Sequence, residues 1–424
     1  MFTALFLAFL VFGLAVRVWL AQRQIRSVIK HRHTVPQAFA DKVTLSAHQK
    51  AADYTAARVR FGLINIFVSA AVLIGFTLLG GLNELVAIAG QGFPPGSVAH
   101  ALAVFALFGV IGFVIELPLD LWRTFKLEAS FGFNRTTPAA FAADALKGVL
   151  LSAAFMLPIA ALIVWLMQTT GTYWWLWAWT AILVFQLLMM LIYPTVIAPL
   201  FNKFTALSDA DLKTRIDALL NRCGFASNGV FVMDGSKRSA HGNAYFTGLS
   251  KNKRIVFYDT LLARLDGEQI EAVLAHELGH FKHKHITKRL VWMSILSLGG
   301  FALLGWLATQ SWFYEQLGVN PILNGSNAVI AILLFMLVVP EFMFPFSPIA
   351  SFLSRKQEFE ADTFAVQTTG AAALKSALVK LYEDNASTLT PDALHSAFYD
   401  SHPPAPVRIA QLDRFAALQA TPTI

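Results

Sequence analysis

Charged residues are scarce in this sequence, and their scarcity argues against an ordinary soluble protein. Only 14% of the 424 residues are Asp, Glu, Lys or Arg, whereas 56% are hydrophobic. Soluble domains usually carry about 25% charged residues. A chain of this length is long enough for two or three soluble domains. Its composition indicates an integral membrane protein instead.

Cysteine is almost absent, which excludes an intramolecular disulfide framework. The single cysteine, Cys223, has no partner within the chain, and we interpret it as a small apolar residue of a domain core. The sequence also lacks an RNA- or DNA-binding motif, and its aromatic residues lie mostly in apolar runs. We therefore expect no nucleic-acid partner in spite of the net charge of +7.

Seven apolar stretches are long enough, at roughly 20 residues each, to cross a bilayer. The first has no basic residues before its apolar core and no clear small-residue cleavage site, so we predict a retained span and not a signal peptide. The seven predicted spans cover approximately 2–20, 61–80, 99–120, 147–167, 173–198, 290–311 and 327–346.

Lysine and arginine are absent from alternate loops. Segment 201–289 holds fourteen of the 33 basic residues and segment 21–60 holds eight, whereas 81–98, 168–172 and 312–326 hold none. Basic loops stay on the cytoplasmic side of a membrane. We therefore expect the N-terminus outside, with the long basic segment and the C-terminus in the cytosol. The membrane would be the bacterial inner membrane, or the ER membrane in a eukaryote.

Two segments, 201–289 and 347–424, are polar enough to lie outside the membrane. We expect them to pack together, with the last two spans forming a hairpin between them. Amphipathic periodicity and β-branched or aromatic runs locate their elements. These are helices at 208–225, 350–368 and 371–384 and strands at 229–236 and 253–260.

The first of these segments ends in DGEQIEAVLAHELGHFKHKH, which is typical of a helix with a capping box at its start. His276 and His280 are four residues apart and therefore project from one side. Two imidazoles placed in this way can bind one Zn²⁺, and Glu277 beside them can take a proton from the metal's water. We predict that His283 and His285, which follow among lysines, are solvated or support the site without binding metal.

A catalytic zinc usually has three protein ligands and one open position, so a further His or Glu is required. The segment SRKQEFEADTFAVQ (354–367) carries acids on an otherwise apolar-periodic helix. Glu358 and Asp362 are four residues apart and share a face, whereas Glu360 points away. The pattern offers one carboxylate to the metal and a second, one turn on, to orient a ligand histidine.

These motifs together resemble the zinc metalloproteases of the CAAX prenyl protease 1 type. That family would make this chain a mainly α, polytopic membrane protein. Seven transmembrane helices would enclose a water-filled chamber beside a small α+β zincin-like catalytic domain. The resemblance rests on AHELGH (275–280), SRKQEFEAD (354–362), SKRSAHGNAYFTG (236–248), SHPPAPVRIAQL (401–412), FGFNRTT (131–137) and YPTVIAPLFNKF (193–204).

The resemblance implies roles for the residues of the metal site. His276, His280 and Glu358 would bind one zinc ion per chain. Glu277 would act as the general base. Asp362 would support the site from behind a ligand.

It also implies residues that contact the substrate. Asn243, Ala244 and Tyr245 would lie on an edge strand whose backbone pairs with an extended substrate. His402 and Arg408 would line the site, with His402 placed to stabilise the oxyanion. The partners implied are a peptide or protein substrate, prenylated in this family, and the lipid bilayer.

The resemblance divides the chain into a membrane region with five transmembrane helices, 1–200, and a metalloprotease domain with two more, 201–424. The implied activity removes the last three residues of prenylated CAAX proteins. A metalloprotease for membrane-protein quality control or peptide processing, with no prenyl requirement, is the alternative, because no prenyl pocket is visible in the sequence. A transporter with a regulatory zinc is disfavoured by the cleanly apolar spans. The related bacterial heat-shock protease has fewer spans.

Overall fold

Seven helices among the described residues are long and apolar enough to cross a bilayer, which confirms the predicted number. The structure is a computed structural model that describes residues 1–247, 252–322 and 325–420. Most of these helices extend beyond the predicted apolar stretches, because polar residues at their ends continue the same hydrogen-bonded ladder. The candidate spans are Phe2–Lys30, Leu45–Phe76, Val98–Glu128, Pro138–Thr169, Gly171–Phe201, His285–Leu307 and Ala328–Thr369.

The N-terminal half is helical throughout. The helices before residue 203 are α1 (Phe2–Lys30), α2 (Leu45–Phe76), α3 (Gly81–Gly90), α4 (Val98–Trp122), α5 (Pro138–Thr169), α6 (Trp174–Ile192) and α7 (Ala198–Phe201). Turns of π-helix at 123–128 and 193–197 continue α4 and join α6 to α7. The short helix α3 lies in a segment for which no element was predicted, since ten residues are too few to span a bilayer.

The membrane helices share one buried cluster of apolar side chains. Phe6 of α1, Leu82 of α3 and Val164 of α5 are fully buried in it. Side chains on the outer faces of the same helices, such as Val110 and Leu150, are largely exposed. An apolar side chain can face outward in this way where lipid replaces water.

The elements after residue 203 form a small α+β unit together with two further membrane helices, α11 and α13. In chain order they are β1 (Phe204–Ala206), α8 (Ala210–Cys223), β2 (Ala226–Met233), β3 (Ala244–Thr247), β4 (Asn252–Tyr258), α9 (Asp259–Leu262), α10 (Gly267–Lys282), α11 (His285–Leu307), α12 (Ser311–Glu315), α13 (Ala328–Met343), α14 (Ser347–Thr369), α15 (Ala371–Asp384), α16 (Ala393–Tyr399) and α17 (Ala405–Ala420).

The strands form a four-stranded sheet in the order β1-β2-β4-β3. Strands β2 and β4 are parallel. Strand β1 pairs with β2 and strand β3 pairs with β4, both in antiparallel orientation. The two predicted strands therefore exist, although β2 begins and ends three residues earlier than expected. Strand β3 lies at one edge, so one side of its backbone is not paired with any described strand. Gly248, the last residue of the 236–248 motif, lies outside the described residues.

Helix α10 carries the two-histidine motif into the centre of this unit. Its N-terminus is the predicted capping box, in which Asp266 accepts a hydrogen bond from the backbone of Gln269 and the Gln269 side chain returns one. Ile270, Leu274 and Leu278 are fully buried against the sheet and the following helices. One face of the helix is therefore anchored in the core, which fixes the direction of the histidines.

Helices α10 and α14 approach each other unusually closely at Gly279. A Cβ atom placed on Gly279 would lie 2.9 Å from the Cα of Ala361. Since real Cβ atoms are not found so close to backbone atoms, only glycine fits at this crossing. The contact brings the histidines of α10 within reach of the acids of α14.

Candidate metal centre

Three side chains from α10 and α14 meet with their ligand atoms directed at one point. The Nε2 atoms of His276 and His280 are 3.3 Å apart. Glu358 places Oε2 3.4 Å from the first and Oε1 3.3 Å from the second. These three residues are the group of potential metal ligands found among the described residues.

The spacing of the three ligand groups fits a zinc ion. Tetrahedral zinc with Zn–N distances of about 2.0–2.1 Å has neighbouring ligand atoms about 3.3–3.4 Å apart. The observed separations of 3.3 to 3.4 Å have this value. Glu358 is also 95% buried, and its Oε2 has no hydrogen-bond donor among the described residues. A buried carboxylate oxygen with no donor favours a cation at this position.

Asp362 and Arg408 support the first histidine from behind. The Nδ1 of His276 lies 2.9 Å from an Asp362 oxygen, to which it donates. Arg408 of α17 donates to both oxygens of the same carboxylate, at 2.6 and 2.7 Å. All three side chains are buried. Because Asp362 fixes the proton on Nδ1, the Nε2 of His276 is left free to bind a metal.

Charge pairing in this buried group raises the pKa of both His276 and Arg408. Burial and the charge of Arg408 would lower the pKa of His276, but the carboxylates of Asp362 and Glu358 beside it outweigh both effects and raise it. For Arg408, burial likewise opposes the charge, and the Asp362 carboxylate raises its pKa overall. The guanidinium is therefore permanently charged, and the metal-free imidazole holds its proton more tightly than a free histidine.

A second chain of hydrogen bonds supports His280. Its Nδ1 lies 2.9 Å from the Nδ1 of His285, and the Nε2 of His285 lies 2.9 Å from a Glu360 oxygen. His285 is 99% buried. With Nε2 of His280 directed at the metal position, its Nδ1–H donates to His285, which in turn donates to Glu360. His283, in contrast, is exposed and stacks on the His285 ring.

The sequence left two roles open for His283 and His285, either solvated side chains or side chains that support the site. These hydrogen bonds distinguish between the two roles. His285 is the supporting residue, and Glu360, predicted only to point away from the metal, is its partner. The signal in the sequence was a histidine at the start of a strongly apolar helix. Such a polar side chain requires a partner when it is buried.

Glu277 lies between the two ligand histidines on α10 and is partly exposed. No side chain in the described part of the chain forms a hydrogen bond or an ion pair with its carboxylate. The group is thus available to a substrate or a water molecule. Its position beside both ligands is the one expected of a base at a metal site.

His402 comes to the open side of the metal position from the loop before α17. Its Nε2 lies 3.5 Å from Glu358 Oε1, and its side chain is 65% exposed. The Oγ of Ser401 lies 3.0 Å from its Nδ1. A hydroxyl that donates to Nδ1 leaves a neutral Nε2–H that can donate into the site.

The three residues predicted to contact substrate lie on the free edge of the sheet. Ala244 and Tyr245 belong to β3, and Asn243 directly precedes it with its carbonyl accepting from Tyr258. Strand β3 packs on the metal helix, since the rings of Phe246 and Phe281 are 5.6 Å apart. Burial raises the pKa of Tyr245 to about 12, so its phenol stays neutral.

Comparisons with known proteins agree with this arrangement over nearly the whole chain. Residues 24–203 match the model described as CAAX prenyl protease N-terminal, five membrane helices, and residues 206–416 match peptidase family M48. This chain belongs to the CAAX prenyl protease 1 family. The family is a group of M48 membrane metallopeptidases, and the metal centre described above lies within the M48 part.

Individual members of the family are similar along their full length. The CAAX prenyl protease 1 homolog of Arabidopsis thaliana is 34% identical over 90% of each chain. The human homolog is 31% identical over 96% of this chain and 95% of its own. The crystal structure of S. mikatae Ste24p superposes with a TM-score of 0.91 at 31% identity, covering 97% of this chain and 99% of that one. The predicted fold class is therefore confirmed.

Proposed function

We propose that this protein is a zinc-dependent endopeptidase that removes the C-terminal tripeptide from prenylated CAAX proteins at the membrane. The relatives named CAAX prenyl protease 1 support the substrate class. The observation that carries the proposal is the convergence of His276, His280 and Glu358 at zinc spacing beside a free carboxylate, Glu277.

One zinc ion per chain would be held by the two Nε2 atoms and the Glu358 carboxylate. Bound there, zinc would lower the pKa of a water molecule towards neutrality and polarise the scissile carbonyl. Asp362 and His285 hold the two imidazoles in the orientation that this requires. The remaining open side faces His402.

The protein's own groups carry the proton transfers. Glu277 takes a proton from the attacking water and later gives it to the leaving amine. The Nε2–H of His402 donates to the oxygen that becomes negatively charged. Arg408 keeps the Asp362 carboxylate ionised, which maintains the tautomer of His276 throughout the cycle.

The distribution of basic residues supports an orientation in the membrane. The N-terminus would lie outside, with the metal centre and the C-terminus in the cytosol. We place the protein in a bacterial inner membrane, or in the ER membrane of a eukaryotic cell. The substrate would then reach the site from the cytosolic surface.

The test compares wild-type protein with Glu277→Gln on a farnesylated CAAX peptide and its unprenylated twin. We expect about one zinc per chain in both proteins, because Glu277 is not a ligand, and cleavage of the farnesylated peptide by wild type alone. Equal cleavage of both peptides would instead support a processing protease with no prenyl requirement. Cleavage by Glu277→Gln at the wild-type rate would refute the assignment of the base.

A further inference from the structure

A cavity of 450 Å³ opens beside His402. Its volume falls within the range of about 300–1,000 Å³ that is usual for ligand sites. The buried side chain of Tyr382, which interacts electrostatically with Arg408, forms part of its wall. The far wall comes from α2, α16 and the loop after α15, including Asn385, Ser387 and Tyr399.

One cation projects into this cavity. Arg58 of α2 is the only lysine or arginine among the described lining residues. It is exposed, and no described carboxylate forms an ion pair with it. Its guanidinium lies 5.4 Å from the ring centre of Tyr54, whose hydroxyl donates to Glu128. The arginine is therefore held in place by an aromatic ring and has its charge free for a ligand.

The neighbouring arginines do not share this property. Arg23 is paired with Asp392 at 2.9 Å, and Arg32 is paired with Asp53 at 2.8 Å. The cavity also contains one acid, Asp400, which interacts electrostatically with His395. Arg58 is thus the position at which an added anion gains a cationic partner.

The cavity is connected to the edge strand through His241. The Nδ1 of His241, two residues before Asn243, lies 3.0 Å from Oδ1 of Asn385 on the cavity wall. A peptide paired antiparallel with β3 runs from the Tyr245 end towards the Asn243 end. Its residues after the scissile bond would consequently approach Asn385 and the cavity beside His402.

We propose that this cavity holds the three residues released from the substrate and that Arg58 binds their C-terminal carboxylate. The inference rests on the proposed function and adds to it the group that recognises the chain end. Three extended residues reach at most about 10 Å beyond the scissile bond. A carboxylate at that distance gains from a charged donor, and a guanidinium can offer two parallel N–H groups.

The experiment uses one farnesylated peptide sequence with either a free C-terminal carboxylate or a C-terminal amide. For the zinc-loaded wild-type protein in detergent, we expect kcat/KM to be about 10-fold higher for the carboxylate peptide. Arg58→Gln should abolish this preference, and Arg58→Lys should retain part of it because the charge is kept. Arg60→Gln is the matched control, since Arg60 is exposed on the same helix and does not line the cavity.

The results separate the two levels of the proposal. An unchanged carboxylate preference in Arg58→Gln, with normal zinc content, would overturn the role of Arg58. Equal rates for the two peptides in wild type would overturn the cavity assignment and leave the peptidase in place. Failure of wild type to cleave either peptide would refute the proposed function and the inference that depends on it.

Discussion

Replacement of His285 by phenylalanine tests whether the second hydrogen-bond chain contributes to metal binding. The change keeps an aromatic ring but removes the acceptor 2.9 Å from Nδ1 of His280 and the donor to Glu360. The His280 ring would then lose the group that fixes its tautomer and orientation. Zinc affinity should fall, while the direct ligands His276 and Glu358 remain.

The burial of His285 decides the size of this effect. Loss of a hydrogen-bond partner behind a metal-binding histidine typically costs 10–100-fold in metal affinity, which corresponds to about 1.4–2.7 kcal/mol. His285 is only 1% exposed, so water cannot readily replace it. We therefore expect the upper end of this range, about 100-fold. Glu360 is 36% exposed, and Glu360→Gln should cost only about 10-fold because water or the amide oxygen can substitute.

The assay is zinc competition against a chromophoric chelator with detergent-solubilised protein. His283→Phe is the matched control, because His283 is exposed and stacks on His285 without contacting His280. We expect the control to bind zinc as wild type does. Wild-type affinity in His285→Phe would show that the hydrogen bond does not hold the ligand, and the reasoning would fail.

Two further predictions concern the same centre. Gly279→Ala should lower both thermal stability and zinc content, because the added Cβ would lie 2.9 Å from the backbone of α14. Gly299→Ala on α11 is the control and should be tolerated, because its Cβ would meet no atom within 4 Å. Equal melting temperatures for the two variants would argue against the close helix crossing. Zinc affinity should fall on acidification. Burial opposes the charge of His276, yet its partners raise the pKa above 6.5, so metal binding must displace a proton and weakens progressively as pH falls through that raised pKa. Titrations above and below pH 6.5 check this, and a pH-independent affinity would contradict it.

The candidate metal ligands could be predicted from the sequence because helical periodicity is a local property. Four-residue spacing places His276 and His280 on one face, and the same spacing places Glu358 and Asp362 together on another helix. Which carboxylate binds the metal was not fixed by spacing, since both occupy the same stripe. The close packing of Gly279 against α14 brings Glu358 next to the two histidines. That contact is made between two helices that are far apart in the chain.

His285 shows where local periodicity fails. A helix continued from His280 would turn by roughly 140° over five residues and direct His285 away from its neighbour. The chain instead ends α10 at Lys282, passes through Lys284 with a φ of 56°, and starts α11 at His285. This break brings His285 back towards His280. A lysine carries no clear sequence signal for a left-handed conformation, which is more usual for glycine or asparagine.

The two sides of the reaction centre are connected by α14. One turn of 3₁₀-helix at 344–346 separates this helix from α13, so the chain passes from the bilayer to Glu358 with little interruption. Arg355, one turn before the ligand, donates to the carbonyls of Ser396 and Asp400 at 3.0 and 2.9 Å. Those carbonyls lie just before His402. The helix that carries the proposed zinc ligand therefore also positions the loop of the proposed oxyanion donor, and a tilt of the last span would move both together. Because one helix positions both groups, the metal position and His402 keep a fixed distance and orientation. Stabilisation of a developing charge by preorganised groups requires such a fixed arrangement.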